Sequence, residues 1–156
     1  MSEREKGMPS PMVTWLAVVR TRPTLDRFGR RTLSPLGLSL TDFKILESVL
    51  HAGPITPSRL GDEIGMTRGS ITSAIDRLAA RGLVEREPNA ADARSSLVKL
   101  TDNGTAVIQE AWETFSKDVE RVMDDTMTSE EMAVLLKLMG RLRRAVKKDC
   151  GRVQTT

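Results

Sequence analysis

The chain is poor in the residues that build metal centres and disulfides. Its 156 residues include one cysteine, Cys150, and one histidine, His51. A single cysteine cannot form an intramolecular disulfide, and a structural zinc site uses about four Cys and His ligands. We therefore expect no metal and no cofactor. Because chains without disulfides are typical of reducing compartments, we also expect a cytoplasmic protein.

Long apolar runs are also missing. The longest one near the beginning is MVTWLAVV, residues 12–19, which is too short to cross a bilayer. The residues that flank it mix acidic and basic side chains, unlike the flanks of a secretory signal. We interpret the run as one face of a helix and expect no membrane partner.

Signatures of catalysis are absent from the sequence. It contains neither a nucleophile elbow nor a phosphate-binding loop, and its lone histidine has no cysteine nearby. With 29% charged and 39% apolar residues, the composition is that of a globular domain. The net charge of +3 is small, so total charge alone does not establish a nucleic-acid partner. We expect a binding protein rather than an enzyme.

Apolar residues recur at helical spacing along most of the chain, and proline, glycine and hydroxyl residues interrupt them. Two short runs at 83–87 and 96–100 have the character of strands and enclose a polar tip. The predicted fold is mainly α, a winged helix-turn-helix with about six helices and a two-stranded β-hairpin wing. The predicted helices are 12–31, a second that begins at Ser39 or Thr41 and ends at Gly53, 56–64, 67–80, 101–123 and a last one from Thr128.

The predicted organisation is a disordered tail, residues 1–10, followed by a single unit over 11–156. The winged-helix lobe of that unit spans about 39–101. The helices at about 12–31 and 102–148 have apolar stripes that no further layer of the chain covers. Uncovered stripes on long helices favour a second subunit, so we expect a homodimer formed through the N- and C-terminal helices.

The helix at 67–80 has one apolar side, formed by Ile71, Ala74, Ile75 and Leu78. Its other side is slim and polar, so the helix fits the width of a DNA major groove. A solvated helix face is the alternative interpretation. The predicted DNA contacts on this helix are Arg68, Gly69, Ser70, Thr72, Ser73 and Arg77.

The hairpin that follows supplies further basic residues, Arg86 and Arg94. An arginine at a hairpin tip can enter the minor groove, where the negative potential is focused. Asp92 lies two residues before Arg94 and is expected either to hold that side chain or to stiffen the tip. The alternative is a surface turn without a function.

Two segments carry a resemblance to the MarR family. TRGSITSAIDRLAARGLVER, residues 67–86, resembles the recognition helix and first wing strand of that family. DARSSLVKLT, residues 92–101, resembles its wing signature, an Asp-x-Arg followed by a strand and a Leu-Thr that opens a helix. The resemblance covers about residues 12–148. One departure is Ser73, a position that is often basic in relatives, which leaves more of the base readout to Arg68 and the wing.

The resemblance implies a dimeric transcriptional regulator, a repressor, that binds double-stranded pseudo-palindromic DNA and is released by a small effector or by oxidation. It implies that Arg94 enters the minor groove, that Asp92 supports it, and that the helix enters the major groove. Trp15 and Trp112 fall on helices of the dimer and effector region, where they would line a pocket for a small aromatic or anionic molecule. Plain core packing is the favoured alternative for both tryptophans. A winged-helix module for protein–protein interaction, without specific DNA binding, is the alternative function.

Overall fold

The computed structural model describes residues 9–92 and 94–153. The chain divides into two compact units, Met1–Phe115 and Ser116–Thr156. Within the described ranges, no helix has both the length and the apolarity that a membrane crossing needs. The elements in chain order are α1 (Pro11–Leu33), a 3-10 turn (Ser34–Leu36), α2 (Leu40–Ala52), α3 (Pro57–Ile64), α4 (Arg68–Ala80), β1 (Val84–Pro88), β2 (Ser96–Leu100), α5 (Asp102–Asp124) and α6 (Ser129–Val153).

Six α-helices and one hairpin confirm the predicted fold class. The helices begin where hydroxyl side chains satisfy the free backbone N–H groups of the first turn. Ser39 and Asp42 form a reciprocal capping box at the start of α2, and Thr128 and Glu131 form another at the start of α6. The hydroxyls that cap the remaining helices belong to Ser10, Thr56, Thr67 and Thr101.

The predicted disordered tail falls mostly on residues 1–8, which lie outside the described residues. Ser10, the last residue of that prediction, is the N-cap of α1, where its Oγ accepts a hydrogen bond of 3.2 Å from the backbone of Val13. Disorder of the tail stays a prediction. The helix that follows continues through Pro23 to Leu33, two residues beyond the predicted end.

The core of the first unit lies beneath α4. All four residues predicted for the apolar side of this helix are buried, which confirms the helical periodicity. The apolar periodicity predicts an inner face of α5 formed by Val107, Ala111, Phe115, Val119 and Val122, and this prediction is partly right. Ala111 is buried, and Val107 and Phe115 pack against the core. Ile108 is also fully buried, whereas Val122 is 38% exposed. The buried residues of α5, Gly104, Ile108 and Ala111, share one side of the helix.

The hairpin is a two-stranded antiparallel sheet in which Val84 lies opposite Leu100. Its first strand begins one residue later than predicted, since the backbone N–H of Leu83 donates to the carbonyl of Leu78 at the end of α4, at 3.0 Å. Val98 exchanges two backbone hydrogen bonds with Ile55, of 2.8 and 3.1 Å. The hairpin is therefore attached to the connection between α2 and α3.

Both ends of the hairpin meet the first turn of α5. The hydroxyl of Thr101 donates to the carbonyl of Gly82 at 2.7 Å and accepts from the backbone of Gly104 at 2.9 Å. A Cβ atom at position 104 would lie 1.8 Å from the carbonyl oxygen of Leu83. Only glycine fits there, because backbone atoms cannot move aside as a flexible side chain can.

A buried carboxylate connects α2 to α4. Asp42 is 3% exposed, and its Oδ1 accepts a hydrogen bond of 2.6 Å from Nη2 of Arg77. Its Oδ2 accepts from the backbone of Ser39 at 3.0 Å and lies 3.6 Å from Nη1 of Arg81. Burial alone would raise the pKa of Asp42, but the bonds to Arg77 and Ser39 outweigh it and lower the pKa. The carboxylate is therefore ionised and holds the C-terminal half of α4.

We expect Gly104→Ala to destabilise the protein by about 3 kcal/mol, the upper end of overpacking effects, because the new methyl group meets the Leu83 carbonyl. The measurement is urea unfolding followed by circular dichroism. Gly69→Ala is the matched control, since no atom lies within 4 Å of its added Cβ and alanine is the better helix former. Equal stability of the Gly104→Ala variant and the parent would contradict the close approach.

The lowered pKa of Asp42 predicts a stability contribution that acid removes. Between its folded pKa and its unfolded value of about 3.9, the unfolded chain binds more protons, so stability falls as the pH falls through this window. Asp42→Asn lacks that contribution. The difference in unfolding free energy between parent and variant should be largest above about pH 5 and shrink below about pH 4. A difference that stays constant across this range would show that Asp42 has no such role.

Candidate nucleic-acid interface

An open groove of about 330 Å³ lies between the start of α3, the exposed side of α4 and the hairpin tip. It brings together three of the residues that the sequence predicted as DNA contacts, Arg68, Thr72 and Arg94. Hydroxyl groups and two apolar side chains, those of Pro57 and Ile71, complete its wall. The full lining is Thr56, Pro57, Ser58, Arg68, Ile71, Thr72, Arg94, Ser95 and Ser96.

The two arginines of this groove differ from most basic residues around it. Among the described residues, neither Arg68 nor Arg94 has an acidic side chain within ion-pair distance. By contrast, Nζ of Lys99 on β2 lies 3.1 Å from Glu85 and 3.2 Å from Glu87. Hydrogen bonds to these two carboxylates raise the pKa of Lys99. Lys99 is therefore less available to an anion than the two arginines of the groove.

The exposed side of α4 is as slim as its sequence predicted. Nothing lies within 4 Å of the place where a Cβ of Gly69 would stand, and the side chains of Thr72 and Ser73 are exposed. Ser70 is exposed too, but its hydroxyl accepts from Thr67 at 2.9 Å and so belongs to the helix cap. A partner can approach the backbone of this helix closely near its N-terminus.

Two further predicted contacts, Arg77 and Arg86, do not line the groove. Arg77 extends from the side of α4 toward α2, where it pairs with Asp42. Nη2 of Arg86 donates to Asp76 of α4 at 2.8 Å, and its Nη1 donates to Ser96 at 3.3 Å. Both arginines therefore hold α4 in place, and their contacts with DNA stay predictions.

Hydrogen bonds connect the described residues of the hairpin tip to one another. Oδ1 of Asp92 accepts from the backbone of Arg94 at 3.0 Å, and its carbonyl accepts from the backbone of Ser95 at 3.0 Å. The amide of Asn89 donates to the hydroxyl of Ser95 at 2.8 Å. Of the two roles predicted for Asp92, these contacts fit stiffening of the tip, because the carboxylate binds the backbone at Arg94.

Sequence reasoning missed Asp42 and the hydroxyls of α3. The pattern Ser-x-x-Asp at 39–42 is a visible capping-box signal, but nothing in it indicates an arginine partner 35 residues away. Thr56 begins the helix that the sequence predicts at 56–64, and it is the N-cap of α3. In the structure Thr56 also lines the groove, where its Oγ1 lies 3.3 Å from the hydroxyl of Ser58.

Both tryptophans are half-exposed, and Trp112 lies at the edge of the core. Trp112 stacks on Phe43 at 6.1 Å between ring centroids, and His51 meets its edge at 5.7 Å. Trp112 and Trp15 are each 44% exposed, so plain core packing stays a prediction for both. Their half-exposed rings lie on α5 and α1, and an effector role stays a prediction.

A family model and two similar regulators indicate the family of this chain. The family model described as MarR family matches residues 36–95. The multiple antibiotic resistance protein MarR of Salmonella typhimurium is 36% identical over 117 residues, which cover 75% of this chain and 81% of the relative. The transcriptional regulator PecS of Dickeya dadantii is 30% identical over 146 residues, covering 92% of this chain and 87% of the relative.

A solved structure gives the same result for the fold. A mutant MarR from E. coli, crystallised in complex with operator DNA, is similar with a TM-score of 0.75 and 31% identity. The similarity covers 84% of this chain and 94% of that one. Because relatives at 30% identity or more are matched over most of their length, and the winged helix agrees, the chain belongs to the MarR family.

Proposed function

We propose that this protein is a sequence-specific DNA-binding transcriptional regulator, a repressor, that binds a pseudo-palindromic operator as a homodimer. The observation that carries the proposal is the groove between α4 and the hairpin tip, where Arg68 and Arg94 lie without an acidic partner among the described residues. The similar MarR structure with operator DNA supports the same use of this fold.

The slim side of α4 suits the major groove. Gly69 allows close approach of the backbone, and Thr72 and Ser73 present hydroxyls that bind base edges or phosphates. Arg68 stands at the first turn of the helix, which is the end that contacts bases in helix-turn-helix proteins. An arginine that forms two bonds with guanine contributes about 1–3 kcal/mol of discrimination. Arg68 is therefore the main candidate for base recognition.

The tip and the start of α3 suit the DNA on either side of that helix. Arg94 is exposed on a tip that Asp92 orders, so the arginine enters a minor groove with little loss of backbone freedom. The first turn of α3 carries backbone N–H groups and the hydroxyls of Thr56 and Ser58, which are suitable donors for a phosphate.

Exposed apolar side chains support the homodimer. On α6, Leu136 is 77% exposed, and on α1, Met12 is 64% exposed. A soluble protein rarely leaves such rows uncovered. A two-fold dimer would place two copies of α4 about 34–36 Å apart, in successive major grooves of one DNA face. The exposed apolar residues on these helices are Met12, Val13, Trp15, Val19, Leu25, Val134, Leu135, Leu136, Leu138, Met139 and Val146.

The proposal includes a cytoplasmic location, binding rather than catalysis, and release from DNA by a small aromatic or anionic effector.

The alternative is a winged-helix module that binds another protein. The salt dependence of binding distinguishes the two functions. Contacts with DNA phosphates release counterions, so the affinity for DNA falls steeply as the salt concentration rises. A protein interface with an apolar centre responds less.

Arg94→Ala should weaken binding to the preferred operator by ten- to a hundredfold. The reason is the loss of one charged hydrogen-bonding contact, which contributes about 1.5–3 kcal/mol. The operator is first selected from random double-stranded DNA, and affinity is then measured by fluorescence anisotropy at several salt concentrations. The plot of log affinity against log salt should lose about one unit of slope. Arg68→Ala should in addition lose discrimination between operator variants.

The matched control is Arg22→Ala on α1, which removes the same charge from a side chain that is 83% exposed and lies outside the groove. It should leave operator affinity within about twofold of the parent, the level of an ordinary surface substitution. Full affinity in Arg94→Ala, or an equal loss in Arg22→Ala, would contradict the winged mode of binding. A selection that yields no preferred sequence would contradict the function itself.

Light scattering should give twice the 17.2 kDa chain mass at micromolar concentration. Leu136→Glu should shift the protein toward the monomer, because a carboxylate cannot be buried cheaply at an apolar interface. Ser129→Glu, which adds the same charge at a polar position of the same helix, should stay dimeric. A monomeric parent would contradict the two-fold geometry of the proposal.

A further inference from the structure

We propose that Asp42 is a positioning residue for DNA binding, which holds the guanidinium of Arg77 ready for a backbone phosphate. The inference rests on the proposed function. Its basis is an ion pair in which the carboxylate side chain is 5% exposed, whereas the arginine side chain is 51% exposed. The acidic group is thus inside the protein, and the basic group extends from it toward solvent.

The carboxylate is itself held firmly. Its Oδ2 accepts from the backbone of Ser39 at 3.0 Å, and the hydroxyl of Ser39 accepts from the backbone of Asp42 at 3.0 Å. This capping box fixes the side chain to the first turn of α2. The remaining oxygen, Oδ1, accepts from Nη2 of Arg77 at 2.6 Å. A rigid acceptor of this kind restricts the arginine to few conformations.

Two arginines, Arg77 and Arg81, lie beside Asp42, and only Arg77 has N–H groups that are available to DNA. Nη2 of Arg81 donates to the carbonyl of Gly37 at 2.9 Å, and its Nη1 faces Asp42 at 3.6 Å, so both ends of that guanidinium are occupied. Within the described part of the chain, Arg77 has Asp42 as its hydrogen-bond partner, through Nη2 alone. Its other N–H groups can donate to a phosphate in the fixed plane of the guanidinium.

The helix places Arg77 beside the predicted DNA contacts. Ser70, Ser73 and Arg77 are spaced at i, i+3 and i+7, so they follow one side of α4. Both serines are exposed. A phosphate next to this side would meet a guanidinium that has already lost much of its rotamer freedom, and binding would cost less entropy than with a free arginine.

Asp42→Asn tests the proposal, because asparagine preserves the shape and the cap acceptor but removes the charge that holds Arg77. We expect its operator affinity to fall about tenfold, an ordinary coupling for residues in contact. The salt dependence should keep its slope, because Arg77 keeps its charge. Arg77→Ala should lower both the affinity and the slope, the latter by about one unit.

The decisive measurement is the double substitution. If Asp42 acts through Arg77, Asp42→Asn should change affinity little in the Arg77→Ala background. In the Arg81→Ala background, which is the matched control, it should keep its full effect. An equal loss in all three backgrounds would show that Asp42 only supports the fold. Tighter operator binding by Asp42→Asn would show that it competes with DNA for Arg77. Either result overturns the proposal.

A further variant covers the case in which Asp42→Asn unfolds. Arg77→Lys keeps the charge but lacks the planar fork, so it should lose affinity without a change in salt slope. Parent-like affinity in Arg77→Lys would then overturn the proposal. These outcomes are distinct from failure of the proposed function, in which the parent itself would show no salt-dependent preference for any DNA sequence.

Discussion

The contact between Gly104 and the carbonyl oxygen of Leu83 is the constraint on which the DNA-facing lobe depends. It brings the first turn of α5 directly against the chain between α4 and β1. Two five-residue strands form a hairpin that is marginal by itself. Hydrogen bonds from Thr101 to Gly82 and Leu83 close both strands at the same point. The tip with Arg94 therefore extends from a base that is fixed to two helices.

Ion pairs divide the basic residues of the lobe into two groups. Arg77 pairs with Asp42 on the α2 side of α4, and Arg86 pairs with Asp76 on the hairpin side. These pairs hold the helix laterally, while its buried residues hold it from below. Arg68 and Arg94 serve no such purpose among the described residues, and they lie at the groove. A count of basic residues in the sequence cannot separate the two groups, since the acidic partners come from other elements.

Local patterns predicted much of the fold. The period of the apolar residues identified the buried side of α4, and the hydroxyl residues marked the starts of the helices, because both signals lie within one or two turns of chain. Contacts between residues that are distant in the sequence could not be predicted from these local patterns. The close approach of Gly104 to Leu83 is one of them. The two residues are 21 positions apart, and no pattern in the sequence indicates that they meet. The partner of Arg77 lies 35 residues away.

For the candidate site, too, local sequence patterns predicted some residues correctly, but contacts between distant residues were not predictable. Arg68, Thr72 and Arg94 belong to two segments whose sequence patterns are distinctive, and the fold brings them to one groove. The place of Arg77 and Arg86 depends on acidic side chains in contact with them, which only the folded chain reveals. The half-exposed tryptophans show a similar limit, since a single sequence does not say which apolar residues a partner subunit would cover.

The pairing of arginines with the protein's own carboxylates also affects how strongly the protein is attracted to DNA in general. Attraction to DNA of arbitrary sequence is almost entirely a matter of unneutralised positive charge. Each arginine that is paired with a carboxylate of the protein adds less to this attraction than an unpaired one such as Arg68 or Arg94. Contacts that depend on the base sequence must therefore supply a larger share of the affinity for an operator than they would in a lobe whose arginines were all unpaired.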